Sequence, residues 1–147
     1  MAKEKFTAIT EMNMKKGMQV TCAARGKSFI LDEPKELGGT DLGMNPVEAL
    51  LSALGACKCI VVKSFARMKK INLLGVRIEC EGELDPDGFM GKNIDAKIGF
   101  SKIKTHYYIE ANNTQEELTD FIGFVERTCP VKDSIVNSPE MEDDLHS

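Results

Sequence analysis

No apolar run in this 147-residue chain is long enough to cross a bilayer. The longest charge-free stretch, Ala49 to Cys57, falls far short of the roughly 20 residues that a spanning helix needs. The opening Met-Ala-Lys-Glu-Lys-Phe offers no apolar core for a secretory signal. Positive charge is not in excess either: 19 Lys+Arg stand against 23 Asp+Glu, a net charge of −4. Nucleic acid is therefore not an expected partner, since phosphate binding draws on clustered surplus cations. Prolines number only five, and no repeat or low-complexity tract is visible, which excludes collagen-like and disordered classes. An odd count of five cysteines at unrelated spacings excludes a regular disulfide framework. Free or redox-active thiols in a reducing cytoplasm are the expectation.

What is present is the composition of a folded domain, with 42% apolar and 29% charged residues. One domain over 1–147 is expected, divided into an N-terminal meander 1–44, a central helix 45–70, a C-terminal β-β-α-α part 71–138 and a tail 139–147. Strands are predicted near Phe6–Asn13, Met18–Ala24 and Ser28–Asp32, with turns at Lys15-Lys16-Gly17 and Arg25-Gly26-Lys27. A glycine-containing loop, Glu33–Met44, follows. Asn45-Pro46-Val47-Glu48 is a helix start: Asn45 caps, Pro46 suits the first position and Glu48 completes a capping box. The helix beyond it is apolar around nearly its whole circumference, so it is expected to be buried on most sides, with a second copy of the chain supplying the missing cover.

Leu74, Val76, Ile78 and Cys80 alternate with charged residues as a half-buried strand. Asp85-Pro86-Asp87-Gly88 reads as a turn, and a strand region between Ile94 and Ala111 changes apolar parity near Ser101-Lys102, which predicts a bulge. Thr114-Gln115-Glu116-Glu117 is a second capping box, ahead of the stripe Leu118, Phe121, Ile122 and Val125. A short helix is expected from Cys129-Pro130 toward Asn137. The order βββ-α-ββ-α-α makes this an α+β chain with mainly antiparallel sheet.

The five thiols differ in setting. Cys22 and Cys80 fall on apolar strand faces, where cysteine acts as a small hydrophobe. Cys57 and Cys59 are about 200° apart around one helix, so they cannot serve one site, and a zinc site using Cys57, Cys59 and Cys129 is disfavoured. On residue chemistry alone, Cys57 among Ala53, Leu54 and Val61 reads as a core cysteine. Cys129, capping the helix that Pro130 begins, is either a plain cap or a thiolate favoured by the helix N-terminus, with Arg127 nearby. Glu48 has its capping role. His106 and His146 have no ligand spacing, and Gly38-Gly39 lacks the lysine of a phosphate loop.

In their order, Leu37-Gly38-Gly39-Thr40-Asp41, Asn45-Pro46-Val47-Glu48-Ala49-Leu50-Leu51, Ala53-Leu54-Gly55-Ala56-Cys57 and Cys129-Pro130-Val131 resemble the OsmC/Ohr family, over about residues 5–138. This is the family of osmotically inducible protein C and organic hydroperoxide resistance proteins, and the likeness is nearest to its OsmC-like branch. The resemblance implies an intertwined homodimer, with sheets wrapped around long central helices. It implies a thiol peroxidase needing no metal, haem or flavin, with Cys57 peroxidatic and Cys129 resolving. The substrates it implies are organic hydroperoxides, and the reductant it implies is a dithiol of lipoyl type. The glutamate of the family's helix falls on Val47 here, with Glu48 next to it. The first hairpin offers Lys15 and Lys16, with Arg25 further on, so Glu48 and Arg25 are the candidate supporting charges. The alternative expectation is a non-catalytic member of the branch that holds a small apolar or thiol-reactive ligand in the dimer pocket.

Overall fold

The computed structural model describes residues 2–146. They form two compact units, one ending at Leu50 and the other beginning at Leu51. The first contains an antiparallel sheet of three strands, β1 (Ile9–Met12), β2 (Val20–Ala24) and β3 (Lys27–Leu31), in that order. Strands β2 and β3 pair Ala24 with Lys27, so Arg25 and Gly26 alone make the turn, at φ 52° and 78°. Positive φ at both central residues gives the turn the hand that matches strand twist. β1 is shorter than the sequence predicted, and Phe6 lies outside it, exposed.

The loop after β3 is organised by one buried carboxylate. Asp32 Oδ1 accepts from the amides of Glu33 (2.8 Å) and Thr40 (3.2 Å), and Oδ2 from the Leu42 amide (3.1 Å) and the Thr40 hydroxyl. Gly39 is obligatory, because a Cβ there would stand 1.9 Å from the Glu33 carbonyl oxygen. The Gly-Gly of the loop thus serves a close backbone approach.

Helix α1 runs Pro46–Phe65, and its expected capping box is present. Asn45 N donates to Glu48 Oε1 and Glu48 N to Asn45 Oδ1, both at 2.9 Å. Helical turns continue to Lys69 and close in a Schellman motif. The Lys70 amide reaches back to Arg67 O (3.1 Å) and the Ile71 amide to Ala66 O (2.8 Å), with Lys70 at φ 59°. The associated apolar contact brings Ala66 and Ile71 into the core.

In the second unit, β4 (Leu73–Leu84) pairs antiparallel with β5 (Phe100–Ala111). Glu83 opposes Lys102 while Leu84 opposes Phe100, leaving Ser101 as the extra residue; its hydroxyl donates to Glu83 O at 3.2 Å. The bulge foreseen from the parity change is there. The strand does not reach back to Ile94, however: Ile94 and Ile98 are exposed, in the turns before β5. Pro86–Phe89, expected as a turn, forms a single helical turn, α2, because Asp85 caps it through the Asp87 amide (2.9 Å). Helix α3 (Gln115–Thr128) begins with the expected capping box, and α4 spans Pro130–Val136. Val61, Val62, Ala66, Ile71, Phe121 and Val125 make the core, flanked by Leu73, Val76 and Tyr107 of the sheet. The architecture is α+β with antiparallel sheets, as expected.

Within one chain α1 is covered on one side only. Leu54, Lys58, Val61 and Val62 are buried, while Ala53, Ala56 and Ile60 form an exposed stripe, Ile60 at 66%. One chain supplies elements for only one face of so apolar a helix.

Lys70 stands in the left-handed conformation that costs a side chain about 1–2 kcal/mol and glycine nothing. Lys70→Gly is expected to raise unfolding free energy by about 0.5–1 kcal/mol, after the loss to the more flexible unfolded chain. Urea denaturation checks it, and a loss of that size would contradict the cap assignment.

Candidate functional site

Proline has no amide to continue a helix and pushes the residue before it out of helical backbone. Pro130 therefore ends α3 and starts α4, and Cys129 becomes the corner at φ −73°, ψ 111°. Its amide bonds back to Val125 O (3.2 Å), and its sulfur accepts the Lys132 amide at 3.4 Å. Cys129 is thus the C-cap of one helix and the N-cap of the next. It is 2% exposed.

Cys57, on α1, neighbours Cys129 closely enough to act on its thiol. Two thiols remote in sequence are brought together, both free and one of them buried. Of the two readings open for the Cys129 cap, burial favours the plain one. Burial and the hydrogen bond with Cys57 push this thiol up, and the opposing pull of the Lys132 and Val131 amides does not offset them. The Arg127 guanidinium does not help, since it lies back along α3 near Gly123. Cys129 is accordingly held as a neutral thiol beside Cys57.

Cys59 does not join this pair. Its thiol is raised by burial and by the neighbouring Cys80, which in turn lies 3.7 Å from the Thr105 hydroxyl. Cys22 is buried in β2 of the first unit, as expected of a small hydrophobe. Among the described residues no group of three or more His, Cys, Asp or Glu is arranged to hold a metal ion. Glu48 is engaged with Asn45 at the start of α1. Arg25 occupies the β2–β3 turn and lines a cleft of the first unit, with Glu4, Lys5 and Phe6.

Beside the thiols is a polar network that the sequence reading missed. Lys58, the residue after Cys57, is only 3% exposed. Its ammonium reaches Glu126 Oε2 of α3 at 2.9 Å and donates to Thr105 Oγ1 of β5 at 2.8 Å, near the Tyr107 ring. Glu126 Oε1 accepts Lys132 Nζ of α4 at 2.7 Å, and Oε2 also accepts the Tyr107 hydroxyl. Burial acts to raise the Glu126 carboxyl, but the hydrogen bonds from Lys132, Tyr107 and Lys58 outweigh it and hold it at about 2. Burial and the same carboxylate push the Tyr107 phenol upward. A cleft of about 650 Å³ opens onto this network, walled by Leu54, Ile103, Ile122 and Ile135; neither Cys57 nor Cys129 lines it. The available signal was Lys58 itself, the one charge between Glu48 and Lys63 in an otherwise apolar helix.

Known proteins resemble this chain in sequence and fold. The family model described as OsmC-like protein matches residues 39–142. The hydroperoxide reductase of Mycoplasma genitalium is 29% identical over 93 residues, 63% of this chain and 62% of that protein. That of Mycoplasma pneumoniae is 28% identical over 96 residues, 65% of this chain and 64% of that protein. The chain thus spans less than two thirds of the length of these curated relatives. A crystal structure of an OsmC like protein from Mycoplasma pneumoniae superposes with a TM-score of 0.80 at 25% identity, covering 93% of this chain and 91% of that one. An organic hydroperoxide resistance protein OsmC from Legionella pneumophila shares the fold, at TM-score 0.63 and 22% identity over 93% of each chain.

Removing Glu126 leaves Lys58 buried without its counter-charge. Glu126→Ala is expected to cost about 3–5 kcal/mol in denaturant unfolding, and a cost below about 1 kcal/mol would contradict the pairing. Glu126 and Asp32, the latter held at about 2 chiefly by the Thr40 hydroxyl, both have carboxyls depressed by folding. Below its ordinary range each takes up its proton more readily in the unfolded chain. Their stabilisation is therefore complete above about pH 5 and is lost as pH falls toward 2. Circular dichroism during acid titration checks this, and acid loss already complete at about pH 5 would contradict it.

Proposed function

The chain belongs to the OsmC-like protein family, and from that premise we propose that it is a thiol peroxidase that reduces organic hydroperoxides to alcohols. The observation that supports the reading is that two free thiols remote in sequence, Cys57 and Cys129, are neighbours in the fold. Cys57 is the peroxidatic residue. Its thiolate attacks the hydroperoxide oxygen; the O–O bond breaks, the alkoxide takes a proton and leaves as alcohol, and sulfur keeps one oxygen as sulfenic acid. Cys129 then attacks that sulfur. The S–O bond breaks, hydroxide leaves with the proton that Cys129 gives up, and water and a Cys57–Cys129 disulfide remain. An external dithiol, of lipoyl type on the family likeness, reduces the disulfide by two exchanges and becomes a disulfide itself.

A buried, protonated Cys129 stays out of the first step and must release its proton to act in the second. It is a poor competitor for peroxide while reduced, yet it stands beside the sulfur it must reach. No metal, haem or flavin enters these steps. The active form is a homodimer in the reducing cytoplasm: the exposed Ala53–Ala56–Ile60 stripe of α1 supports association, and the free cysteines fit that compartment. Light scattering should give the mass of two chains.

Consumption of cumene hydroperoxide with dihydrolipoamide tests the activity. Cys57→Ser is expected to lower kcat/KM by at least about 100-fold, and Cys129→Ser to permit one turnover without efficient recycling. A wild-type rate in Cys57→Ser would contradict the assignment.

A further inference from the structure

The Lys58–Glu126 ion pair has no step in the thiol chemistry above, yet both its ends adjoin the residues that carry it. Lys58 follows Cys57 on α1, so its anchor fixes the rotation of the turn that presents the Cys57 sulfur. Glu126 lies in the last turn of α3, three residues before the Cys129 corner. Its other oxygen holds the Lys132 side chain, while the Lys132 amide holds the Cys129 sulfur. One carboxylate is therefore tied to the helix of each sulfur at short range, 2.9 Å to Lys58 and 2.7 Å to Lys132. Thr105 and Tyr107 of β5 hold Lys58 and Glu126, respectively, from the sheet side.

We propose that Glu126, through Lys58 and Lys132, is a positioning residue that sets how readily Cys57 and Cys129 close into a disulfide. This rests on the thiol pair assigned above, but it concerns closure alone and does not need peroxide. Fixing both partners near attack distance raises their effective concentration, and an error of about 1 Å lowers it steeply. Loss of the carboxylate frees α1 and α4 to shift independently at the two sulfurs.

The test is equilibration of the full chain in glutathione redox buffers, followed by alkylation and mass analysis. Cys57 attacks glutathione disulfide and releases one glutathione. Cys129 then displaces the second, so two protein thiols are oxidised and one glutathione disulfide is reduced to two thiols. Glu126→Gln is expected to lower the effective concentration of the pair by at least about tenfold, with Glu126→Asp recovering part of it. In a Cys129→Ser background, the Cys57–glutathione mixed disulfide should stay within about twofold whether or not Glu126→Gln is present, because that step needs no closure. Lys132→Met, which leaves Lys58–Glu126 intact, should cost about threefold and serves if Glu126→Gln does not fold.

Closure as efficient in folded Glu126→Gln as in the wild type overturns the proposal, as does an equal loss in the mixed-disulfide arm. An unchanged value in Lys132→Met overturns it where Glu126→Gln is unfolded. A wild type that closes with glutathione yet consumes no hydroperoxide would sink the peroxidase reading and leave this one standing.

Discussion

An ammonium group cannot remain charged in a protein core without an anion at hand, and Lys58 lies in the core of the second unit. That constraint organises the region around the thiols. Glu126 of α3 answers the charge, and Thr105 of β5 takes a further hydrogen bond. The carboxylate has capacity left and uses it on Tyr107 and Lys132, so that α1, α3, α4 and β5 meet in one network. Apolar packing among Val61, Val62, Phe121 and Val125 supplies cohesion, but such contacts tolerate sliding. The directional bonds to Glu126 fix register between helices, and register is what two sulfurs on different helices require.

The proline corner does the complementary work. Pro130 divides what would be one helix into α3 and α4, and it leaves Cys129 in extended backbone with its sulfur over the first amides of α4. A cap residue in that position is buried by the chain on both sides of it. Burial decides the state of its thiol: the amides that favour a thiolate are present but outweighed. Beside Cys57 there is consequently a neutral thiol rather than a thiolate.

Much of this was legible before the fold was known, because it is local. Both capping boxes depend on residues three apart, and both formed. The parity change at Ser101 is a statement about one strand, and the bulge stands there. Cys129 as a cap follows from the dipeptide it makes with Pro130. Tertiary consequences were not legible. A lysine in a helix ordinarily reads as part of a solvated face, so nothing marked Lys58 as buried until Glu126 was seen opposite it. The direction of the Cys129 shift stayed open for the same reason, since the cap is local and its burial is not. The exposed Ala53–Ala56–Ile60 stripe shows that an apolar circumference does not reveal which side one chain covers.

The most direct measurement is peptide mapping under non-reducing conditions after one equivalent of an organic hydroperoxide per chain. The account predicts a single new cross-linked species joining the Cys57 and Cys129 peptides, with Cys22, Cys59 and Cys80 still alkylatable as free thiols. Oxidation spread over those three, or a Cys57 oxidised but never linked to Cys129, would contradict it.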